Sequence, residues 1–267
     1  MILSIFLSEI KSNNLQYVWN IMLYDCTYPF LLNWAGELSM KVYLIRIDHQ
    51  YHASLIKRLS IFVSKTRMDK AIRFKMLNDF NRSIAGELLV NYILMTHYGI
   101  LERDLEWGYR HSGKPYLISH PHLYFNLSHA EDYVTCIFDS SEIGIDIEYM
   151  RDFEYSSIAN RYFTRNENAF VSEQGDENKL TAFYRIWTQK ESYLKATGSG
   201  LSTPLDSFEI QFPEATGTKV QTSDRTWFLH SMQPEPDYML SVCHSIPIDE
   251  LSAIRLSLEE IAAFFST

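Results

Sequence analysis

A predicted helix over 180–201 constrains the fold most, because it carries an acidic residue on its apolar face. The apolar side chains of that face recur at helical spacing, at Leu180, Phe183, Tyr184 and Trp187. One turn further on, the same face presents Glu191, where a core helix carries Leu or Ile, and then Lys195. A buried carboxylate is costly unless a cation compensates it, so Lys195 or a metal ion is the expected partner. A helix stop at Gly198 and Gly200 follows.

Composition bounds the class of protein and its partners. An apolar content of 46% over 267 residues is ample for the core of one large domain or two modest ones. The formal net charge of −9 argues against nucleic acid as the main partner, because phosphate backbones need a basic surface. A local basic pocket still suffices for a small phosphorylated ligand. The cysteines, Cys26, Cys136 and Cys243, lack metal-ligand spacing and cannot all pair, which favours a reducing, cytoplasmic location.

Residues 1–39 differ from the rest of the chain. They open with apolar residues but lack the basic region and the cleavage site of a signal peptide. Polar residues and a proline interrupt the apolar run over 15–34, so no membrane partner is expected. Met40 begins the alternating pattern of a strand, and we expect it to be the true start, with 1–39 an extension that docks loosely or a start-site artefact. An ordinary N-terminal helical segment is the alternative.

From Met40 onwards, strand and helix patterns alternate without a linker. The predicted strands are 42–47, 124–127, 133–138, 143–147, 208–212, 227–230 and 239–243. The predicted helices are 54–73, 81–97, 154–161, one that begins near 164, the helix over 180–201, and 249–265. This order is a rough duplication of an α+β unit. The densest basic charge of the chain lies within 65–75.

A pair of acidic residues suggests a metal site. Strand alternation puts Asp146 and Glu148 on one face and Ile145 and Ile147 on the other. Two carboxylates on one face repel each other unless a cation lies between them. Together with Glu191 they make three hard oxygen ligands, without imidazole or thiolate, which suits Mg²⁺. The alternative is an edge strand with a solvated acidic face.

Three residues have side chains suited to binding phosphate. Ser128 and His129 end a predicted strand with a hydroxyl and an imidazole, and Lys114 lies in a rigid Gly-Lys-Pro loop. Each also has an ordinary structural interpretation: a turn or cap serine, a partly buried histidine and a solvated turn lysine. A nucleophilic Ser-His pair is disfavoured, because adjacent residues on a strand point apart.

Four motifs follow one another at compatible spacings: GKP at 113–115, FNLSH at 125–129, GIDIE at 144–148 and WTQKESYLK at 187–195. On these motifs the chain resembles the 4′-phosphopantetheinyl transferases of the surfactin-synthetase-activating (Sfp) type, over about 40–243. The resemblance implies an α+β fold with two similar α/β lobes in one chain, which form a pseudo-dimer with the active site at the lobe interface. The implied lobes are 40–141 and 142–267, and the second carries the metal site.

The resemblance also implies a reaction. The 4′-phosphopantetheine arm of coenzyme A passes, with Mg²⁺, to a serine hydroxyl of an apo carrier protein, and adenosine 3′,5′-bisphosphate is released. This is a holo-[acyl-carrier-protein] synthase activity. Carriers of fatty-acid, polyketide and nonribosomal peptide synthases fit equally well. Two lobes in one chain further suggest a monomer.

The residues at matching positions inherit implied roles. The implied metal ligands are Asp146, Glu148 and Glu191. The implied contacts of the coenzyme A phosphates are Lys114, Ser128, His129 and Lys195, and those near the adenosine 3′-phosphate are Arg67, Lys70, Arg82 and Ser83. Glu191 is the implied general base, with a metal-held water as the alternative, while Lys195 and His129 stabilise developing negative charge. Glu167 falls on an acidic position of the family, yet Thr164 and Glu167 form a capping-box pattern that predicts a structural role.

Two other classes of function compete with this interpretation. One is a catalytically inactive module that binds coenzyme A or a carrier protein; the complete acidic cluster argues against it. The other is a different Mg²⁺-dependent phosphoryl enzyme such as a nucleotide hydrolase, for which the usual Walker-type glycine-rich loop is missing from the sequence.

Overall fold

The computed structural model describes residues 31–32, 38–212 and 217–266, which form a mixed α/β fold. The strands are β1 (Leu31–Leu32), β2 (Leu38–Arg46), β3 (Trp107–Tyr109), β4 (Pro115–Leu117), β5 (Tyr124–Ala130), β6 (Tyr133–Asp139), β7 (Ile143–Tyr149), β8 (Thr218–Gln221), β9 (Thr226–Met232), β10 (Tyr238–His244) and β11 (Glu250–Leu256). The helices are α1 (Ala53–Leu59), α2 (Lys65–Ala71), α3 (Leu77–Thr96), α4 (Ser156–Tyr162), α5 (Arg165–Ser172), α6 (Asp176–Thr197) and α7 (Leu258–Phe265). None of the helices in these ranges has the length and apolar content needed to cross a bilayer.

Two main sheets organise the described residues. The first has the order β1-β2-β6-β5, with β11 lying parallel along β2, and the second has the order β7-β10-β9-β8. The long helix α3 packs on the first sheet and the long helix α6 packs on the second. Each of the two sheets thus has one long helix packed on it. The predicted extension over 1–39 lies outside the described residues, apart from 31–32 and 38–39.

The two sheets share an apolar core. Val42, Leu44 and Ile137 from the first sheet pack with Ile145 and Ile147 from the second, and all five side chains are buried. Each such side chain contributes roughly 1.5–3 kcal/mol through burial. The predicted alternation along β7 is confirmed, because its isoleucines fill this core while the acidic residues between them face the other way.

Most predicted elements are confirmed. The predicted strands within β2, β5, β6, β7, β9 and β10 are present, and the predicted helices match α3, α4, α5 and α6. The prediction of one helix over 54–73 is wrong, because α1 ends at Leu59 and Val63 adopts extended backbone. Ser64 then starts α2, where its hydroxyl accepts a hydrogen bond from the backbone N–H of Arg67. A serine N-cap was the sequence signal for this break.

Two further predictions are wrong. The segment predicted as a helix over 249–265 begins with the strand β11, and Ser257 and Glu260 then form a capping box that starts α7. The predicted strand over 208–212 is absent, since only Gln211 makes an isolated bridge, with Lys219. Apolar side chains alternate imperfectly in both segments, so the choice between strand, helix and loop depends on neighbours distant in sequence.

Strand β7 and helix α6 touch at Gly144. A Cβ atom placed there would lie 2.0 Å from the carbonyl oxygen of Ser192 and 2.4 Å from the backbone nitrogen of Ala196. These are backbone atoms of a long helix, which cannot move aside as a flexible side chain can. The absence of a side chain at Gly144 therefore sets how closely the strand that carries Asp146 approaches the helix that carries Lys195.

We expect Gly144→Ala to lower the free energy of unfolding by about 1–3 kcal/mol, because the added methyl group forces β7 away from α6. Gly86→Ala in α3 is the matched control, since a Cβ there meets only side-chain methyl groups, those of Leu127 at 2.9 Å and of Val134 at 3.7 Å. Ala is also the better helix former by about 1 kcal/mol. Urea unfolding of both variants checks this, and equal midpoints would contradict the tight contact at Gly144.

His244 makes the fold sensitive to acid. Its side chain is fully buried, and neither ring nitrogen has a hydrogen-bond partner among the described residues. Burial, and then the neighbouring His230, lowers the pKa of His244 to about 3. Because the ordinary pKa of histidine is about 6.5, the unfolded chain binds a proton that the folded protein does not between these values. The free energy of unfolding therefore falls as the pH drops below about 6.5.

For His244 alone, the free energy of unfolding changes with pH by up to about 1.4 kcal/mol per pH unit. We expect urea unfolding of the parent protein at pH 7.5, 6.5 and 5.5 to show the decrease, and His244→Leu to show a shallower one. Burial also lowers the pKa of His230, so part of the slope remains in the variant. Identical slopes for the two proteins would contradict the assignment to His244.

Candidate active site

The candidate site lies where β5 of the first sheet meets β7 of the second. These strands belong to different sheets, and side chains of β5 connect them. The backbone N–H of Ile145 donates to Oδ1 of Asn126 at 2.8 Å, and that of Ile147 donates to Oγ of Ser128 at 3.3 Å. The FNLSH motif therefore joins the two sheets by hydrogen bonds, a role that the sequence did not reveal for Asn126.

A pocket with a volume of about 420 Å³ opens beside this junction. The predicted site residues that line it are Arg67, Lys70, Ser128, His129, Asp146, Glu148 and Lys195. Glu191 does not line the pocket, but its carboxylate lies within electrostatic range of Asp146. The structure therefore brings together predicted acidic and basic residues from both sheets and from helices α2 and α6.

Asp146 is the centre of the polar contacts in this pocket. Its Oδ1 accepts hydrogen bonds from Nζ of Lys195 at 2.6 Å and from Oγ of Ser128 at 3.0 Å. Its Oδ2 is buried and has no hydrogen-bond partner among the described residues. Burial raises the pKa of Asp146, while the ammonium of Lys195 and the hydroxyl of Ser128 act in the opposite direction. One carboxylate oxygen thus remains available to a ligand.

The carboxylates of Glu148 and Glu191 are affected by the negative charge of Asp146. Burial, and then Asp146, raises the pKa of Glu148 to about 7, and the same two causes raise the pKa of Glu191. Burial is thus the larger cause and the negative charge of Asp146 the smaller one, and a bound cation would relieve the second. The donor types and the unpartnered oxygen of Asp146 suit Mg²⁺. Among the described residues, however, no three His, Cys, Asp or Glu side chains are arranged to hold a metal ion, and Lys195 supplies the positive charge.

The basic residues on the first-sheet side already have protein partners. Nε of Arg67 donates to Glu87 at 3.0 Å, and the carboxylate of Glu87 is buried. The ammonium of Lys70 lies 4.1 Å from the ring centre of Tyr109. Glu87 was not predicted as a site residue. The available signal was its position one turn after Ile84, on the buried face of α3.

Three other residues predicted to contact coenzyme A, namely Arg82, Ser83 and His129, have different protein neighbours. Arg82 donates to Asp79 at 2.5 Å and to the carbonyl oxygen of Glu131 at 2.8 Å, and Ser83 is buried in α3. Although His129 is exposed, desolvation by the surrounding protein, followed by the cations of Arg82 and Lys195, lowers its pKa to about 4. At neutral pH this imidazole is therefore a neutral hydrogen-bonding group and carries no positive charge.

Lys114 connects three elements. Its Nζ donates to the carbonyl oxygens of Ile143 at 2.8 Å and of Lys195 at 2.6 Å. Burial, and then Arg110, lowers the pKa of Lys114 to about 8. The β3–β4 hairpin is thereby tied to the start of β7 and to the last turn of α6, where helical carbonyls lack intrahelical partners. Its predicted contact with a phosphate stays a prediction.

A buried ion pair lies on another side of α6. Nζ of Lys190 is 2.8 Å from Oε1 of Glu167, and both side chains are fully buried. The capping box of Thr164 and Glu167 is confirmed. Both charged groups also bond to backbone groups, namely those of Thr164, Ile210, Leu205 and Phe208. Lys190, the first of the two lysines in the WTQKESYLK motif, is therefore structural, which the sequence analysis did not predict.

We expect Glu167→Gln to destabilise the protein by about 3–5 kcal/mol, because it leaves the ammonium of Lys190 buried without a counter-charge. Lys190→Met should have a similar effect by leaving Glu167 uncompensated. The double variant should lose less than the sum of the two, since it buries no unpaired charge. Urea unfolding of the parent, the two single variants and the double variant measures the coupling energy between Glu167 and Lys190. Losses of unfolding free energy that add up to within about 0.5 kcal/mol would contradict the ion pair.

Two models of protein families match the part of the chain that forms the candidate site. Residues 142–243 match the model of the 4′-phosphopantetheinyl transferase superfamily, and residues 52–141 match that of the 4′-phosphopantetheinyl transferase N-terminal domain. The 4′-phosphopantetheinyl transferase ffp of Bacillus subtilis is 32% identical over 210 residues, which cover 78% of this chain and 93% of that protein.

Two other relatives are similar over most of their length. The 4′-phosphopantetheinyl transferase Sfp of Bacillus subtilis (strain 168) is 30% identical over 224 residues, which cover 83% of this chain and 100% of that protein. The 4′-phosphopantetheinyl transferase HetI of Nostoc sp. is 32% identical over 210 residues, with coverages of 77% and 88%. The two family models together cover 52–243, a range that contains β5, β7 and every residue that lines the pocket.

Proposed function

This chain belongs to the 4′-phosphopantetheinyl transferase superfamily, and we propose that it uses Mg²⁺ to transfer the arm of coenzyme A to a carrier-protein serine. Adenosine 3′,5′-bisphosphate is the second product. The observation that carries the proposal is the pocket at the β5–β7 junction, which combines the acidic cluster around Asp146 with cationic side chains. Carriers of fatty-acid, polyketide and nonribosomal peptide synthases are the proposed class of acceptor.

We propose that the chain forms two lobes, 40–141 and 142–267, arranged as a pseudo-dimer. The long helix on each sheet and the boundary between the two family models at residues 141 and 142 support this division, whereas β11, from the second range, pairs with β2 of the first sheet. The pocket then lies between the lobes, since β5 comes from the first and β7 from the second.

The proposed metal ligands are Asp146, Glu148 and Glu191. Their oxygen donors, the unpartnered Oδ2 of Asp146 and the raised pKa values of all three support the assignment. When bound, Mg²⁺ supplies Lewis-acid neutralisation of the pyrophosphate charge. The side chain of Lys195 is 30% exposed and lines the same pocket, so it supplies a second positive charge.

The proposed coenzyme A site combines two groups of residues. Arg67, Lys70, Arg82 and Ser83 contact the adenosine 3′-phosphate, and Lys114, Ser128, His129 and Lys195 contact the other phosphates. The position of five of these residues in one pocket supports the grouping. His129 acts as a neutral hydrogen-bond donor, because its pKa is lowered to about 4.

In the proposed reaction, the carboxylate of Glu191 accepts the proton of the carrier serine hydroxyl. The serine oxygen forms a bond with the phosphorus of the phosphopantetheine arm, and the bond from that phosphorus to the bridging oxygen breaks. The bridging oxygen leaves with the bond electrons on adenosine 3′,5′-bisphosphate, and Lys195 and His129 stabilise its negative charge. The raised pKa of Glu191, caused by burial and then by Asp146, makes its carboxylate a stronger base than that of a solvent-exposed glutamate.

The test is intact-protein mass spectrometry of an apo carrier protein after incubation with this protein, coenzyme A and Mg²⁺. We expect a mass increase of one phosphopantetheine arm, abolished by EDTA and restored by excess Mg²⁺. Asp146→Ala should abolish the transfer, because it removes the unpartnered oxygen. Lys195→Ala should lower kcat by about 10²–10³-fold through the loss of charge stabilisation.

Two outcomes would contradict parts of the proposal. Parental turnover by Asp146→Ala at low Mg²⁺ would refute the metal assignment. Measurable coenzyme A binding without transfer to any fatty-acid, polyketide or peptide carrier would favour the inactive binding module. The ion pair of Lys195 with Asp146 is the observation that keeps this second candidate open. Circular dichroism of each variant excludes loss of folding as the cause.

A further inference from the structure

A second cavity lies beside the β3–β4 hairpin. Its volume is about 520 Å³, within the roughly 300–1,000 Å³ of pockets that bind small molecules. The residues of the hairpin alternate between the two cavities, since Gly113 and Pro115 line the pocket at the β5–β7 junction whereas Ser112 and Lys114 line the second cavity. The two cavities have no lining residue in common. We call the second one the hairpin cavity.

Two cations of the hairpin line this cavity without an acidic partner. The guanidinium of Arg110 lies near the rings of Tyr116 and Tyr124, with its Cζ 5.6 and 5.7 Å from the ring centres, and it pairs with no acidic residue in the described part of the chain. The ammonium of Lys114 donates to two carbonyl oxygens, which leaves one of its three N–H groups for a ligand. Burial, and then the cation of Arg110, lowers the pKa of Lys114 to about 8, so it stays mostly protonated at neutral pH.

The negative groups around the hairpin cavity already have cationic partners. Glu142 is the only acidic residue among the described residues that line it, and its carboxylate pairs with Arg225 at 3.0 Å. The end of α6 also lines the cavity, and helical carbonyl oxygens there carry partial negative charge. One of them, that of Lys195, accepts a hydrogen bond from Lys114. A net positive charge therefore remains at this cavity, although the whole chain carries −9.

The loop after α6 adds backbone donors. Gly198 and Gly200 have left-handed backbone, with φ of 69° and 55°, and Ser199 between them is right-handed, with φ of −73°. Alternation of this kind turns successive N–H groups toward one concave side, a geometry that binds anions. The three residues line the hairpin cavity, and the N–H groups of the two glycines donate to none of the described residues. A ligand or water must therefore supply their acceptor.

We propose that the hairpin cavity is a second ligand site, which binds a phosphate group through the cations of Arg110 and Lys114 and the backbone N–H groups of 198–200. The planar guanidinium presents paired N–H groups that match phosphate oxygens. Inorganic phosphate and a phosphate monoester share this chemistry, and the ring of Tyr124 lines the space that the organic part of a monoester would fill. Lys114 is also a proposed contact of coenzyme A, so the test must show whether both ligands bind at once.

The test variant is Arg110→Met, which removes the guanidinium and keeps an unbranched side chain beside the two rings. Arg110 is exposed and does not belong to the proposed metal or coenzyme A site, so its replacement should leave the fold and the transfer reaction unchanged. Arg103→Met is the matched control. It removes the same charge from a side chain that is 79% exposed and does not line the hairpin cavity.

Binding is measured by NMR titration of the isotopically labelled protein with inorganic phosphate, at constant ionic strength and without Mg²⁺. The amide signals of Gly198 and Gly200 report directly on the backbone donors. We expect both signals to shift saturably with phosphate, and to do so equally when coenzyme A is present at saturation. Arg110→Met should weaken this binding about tenfold or more, and Arg103→Met less than twofold.

Phenyl phosphate is the second probe, and it distinguishes the two sources of the phosphate group. Both probes should shift the same glycine signals, because both present the same anion. Tighter binding of phenyl phosphate supports a monoester as the ligand, and equal binding supports free phosphate.

Three results would overturn the proposal. The first is that the glycine signals do not shift, and the second is that they shift with equal affinity in the parent and in Arg110→Met. The third is displacement of phosphate by coenzyme A, which would make the hairpin cavity part of the coenzyme A site. The proposed function fails separately, because these titrations contain no carrier protein. Even if coenzyme A does not bind, the titration without it still decides between the parent and Arg110→Met.

Discussion

The close contact of β7 with α6 at Gly144 is the constraint on which the rest of the site depends. A backbone-to-backbone approach needs a residue without a side chain, and it brings the acidic face of β7 against one turn of a long helix. Asp146 then lies within 2.6 Å of Lys195, although 49 residues separate them in the sequence. A wider separation of strand and helix would leave the buried carboxylate of Asp146 without its cation, which is the costly arrangement.

Helix α6 carries charges inward in two directions. Lys190 pairs with Glu167 and with the carbonyls of the loop around 205–208, while Lys195 pairs with Asp146 on the pocket side. The first pair is fully buried and completely bonded, so it fixes the helix against its neighbours. The second is partly exposed and leaves one carboxylate oxygen without a partner. One helix therefore has a rigid structural pair and, one turn later, a pair that a ligand can reach.

The sequence predicted local features better than long-range ones. The alternation of isoleucines and carboxylates in β7 and the capping box of Glu167 follow from periods of two and three residues. The helical period was less successful, because Glu191 is only partly buried and the charge that α6 buries completely is Lys190. The strand β11 and the bonds of Asn126 were missed, because each depends on a strand from a distant part of the chain. Arg67 was predicted as a phosphate contact, and its partner Glu87 was overlooked on an apolar helix face.

The hydrogen bonds of the motif residues explain why four motifs spread over 83 residues, from 113 to 195, act as one unit. Lys114 of the first motif binds the carbonyl of Lys195 in the fourth, while the side chain of Lys195 binds Ser128 of the second and Asp146 of the third. Each motif thus satisfies polar groups of another. Lys195 is the residue common to these bonds, and its ammonium donates to Ser128 and Asp146 with two of its three N–H groups, so the third can reach an anion in the pocket without the loss of either bond.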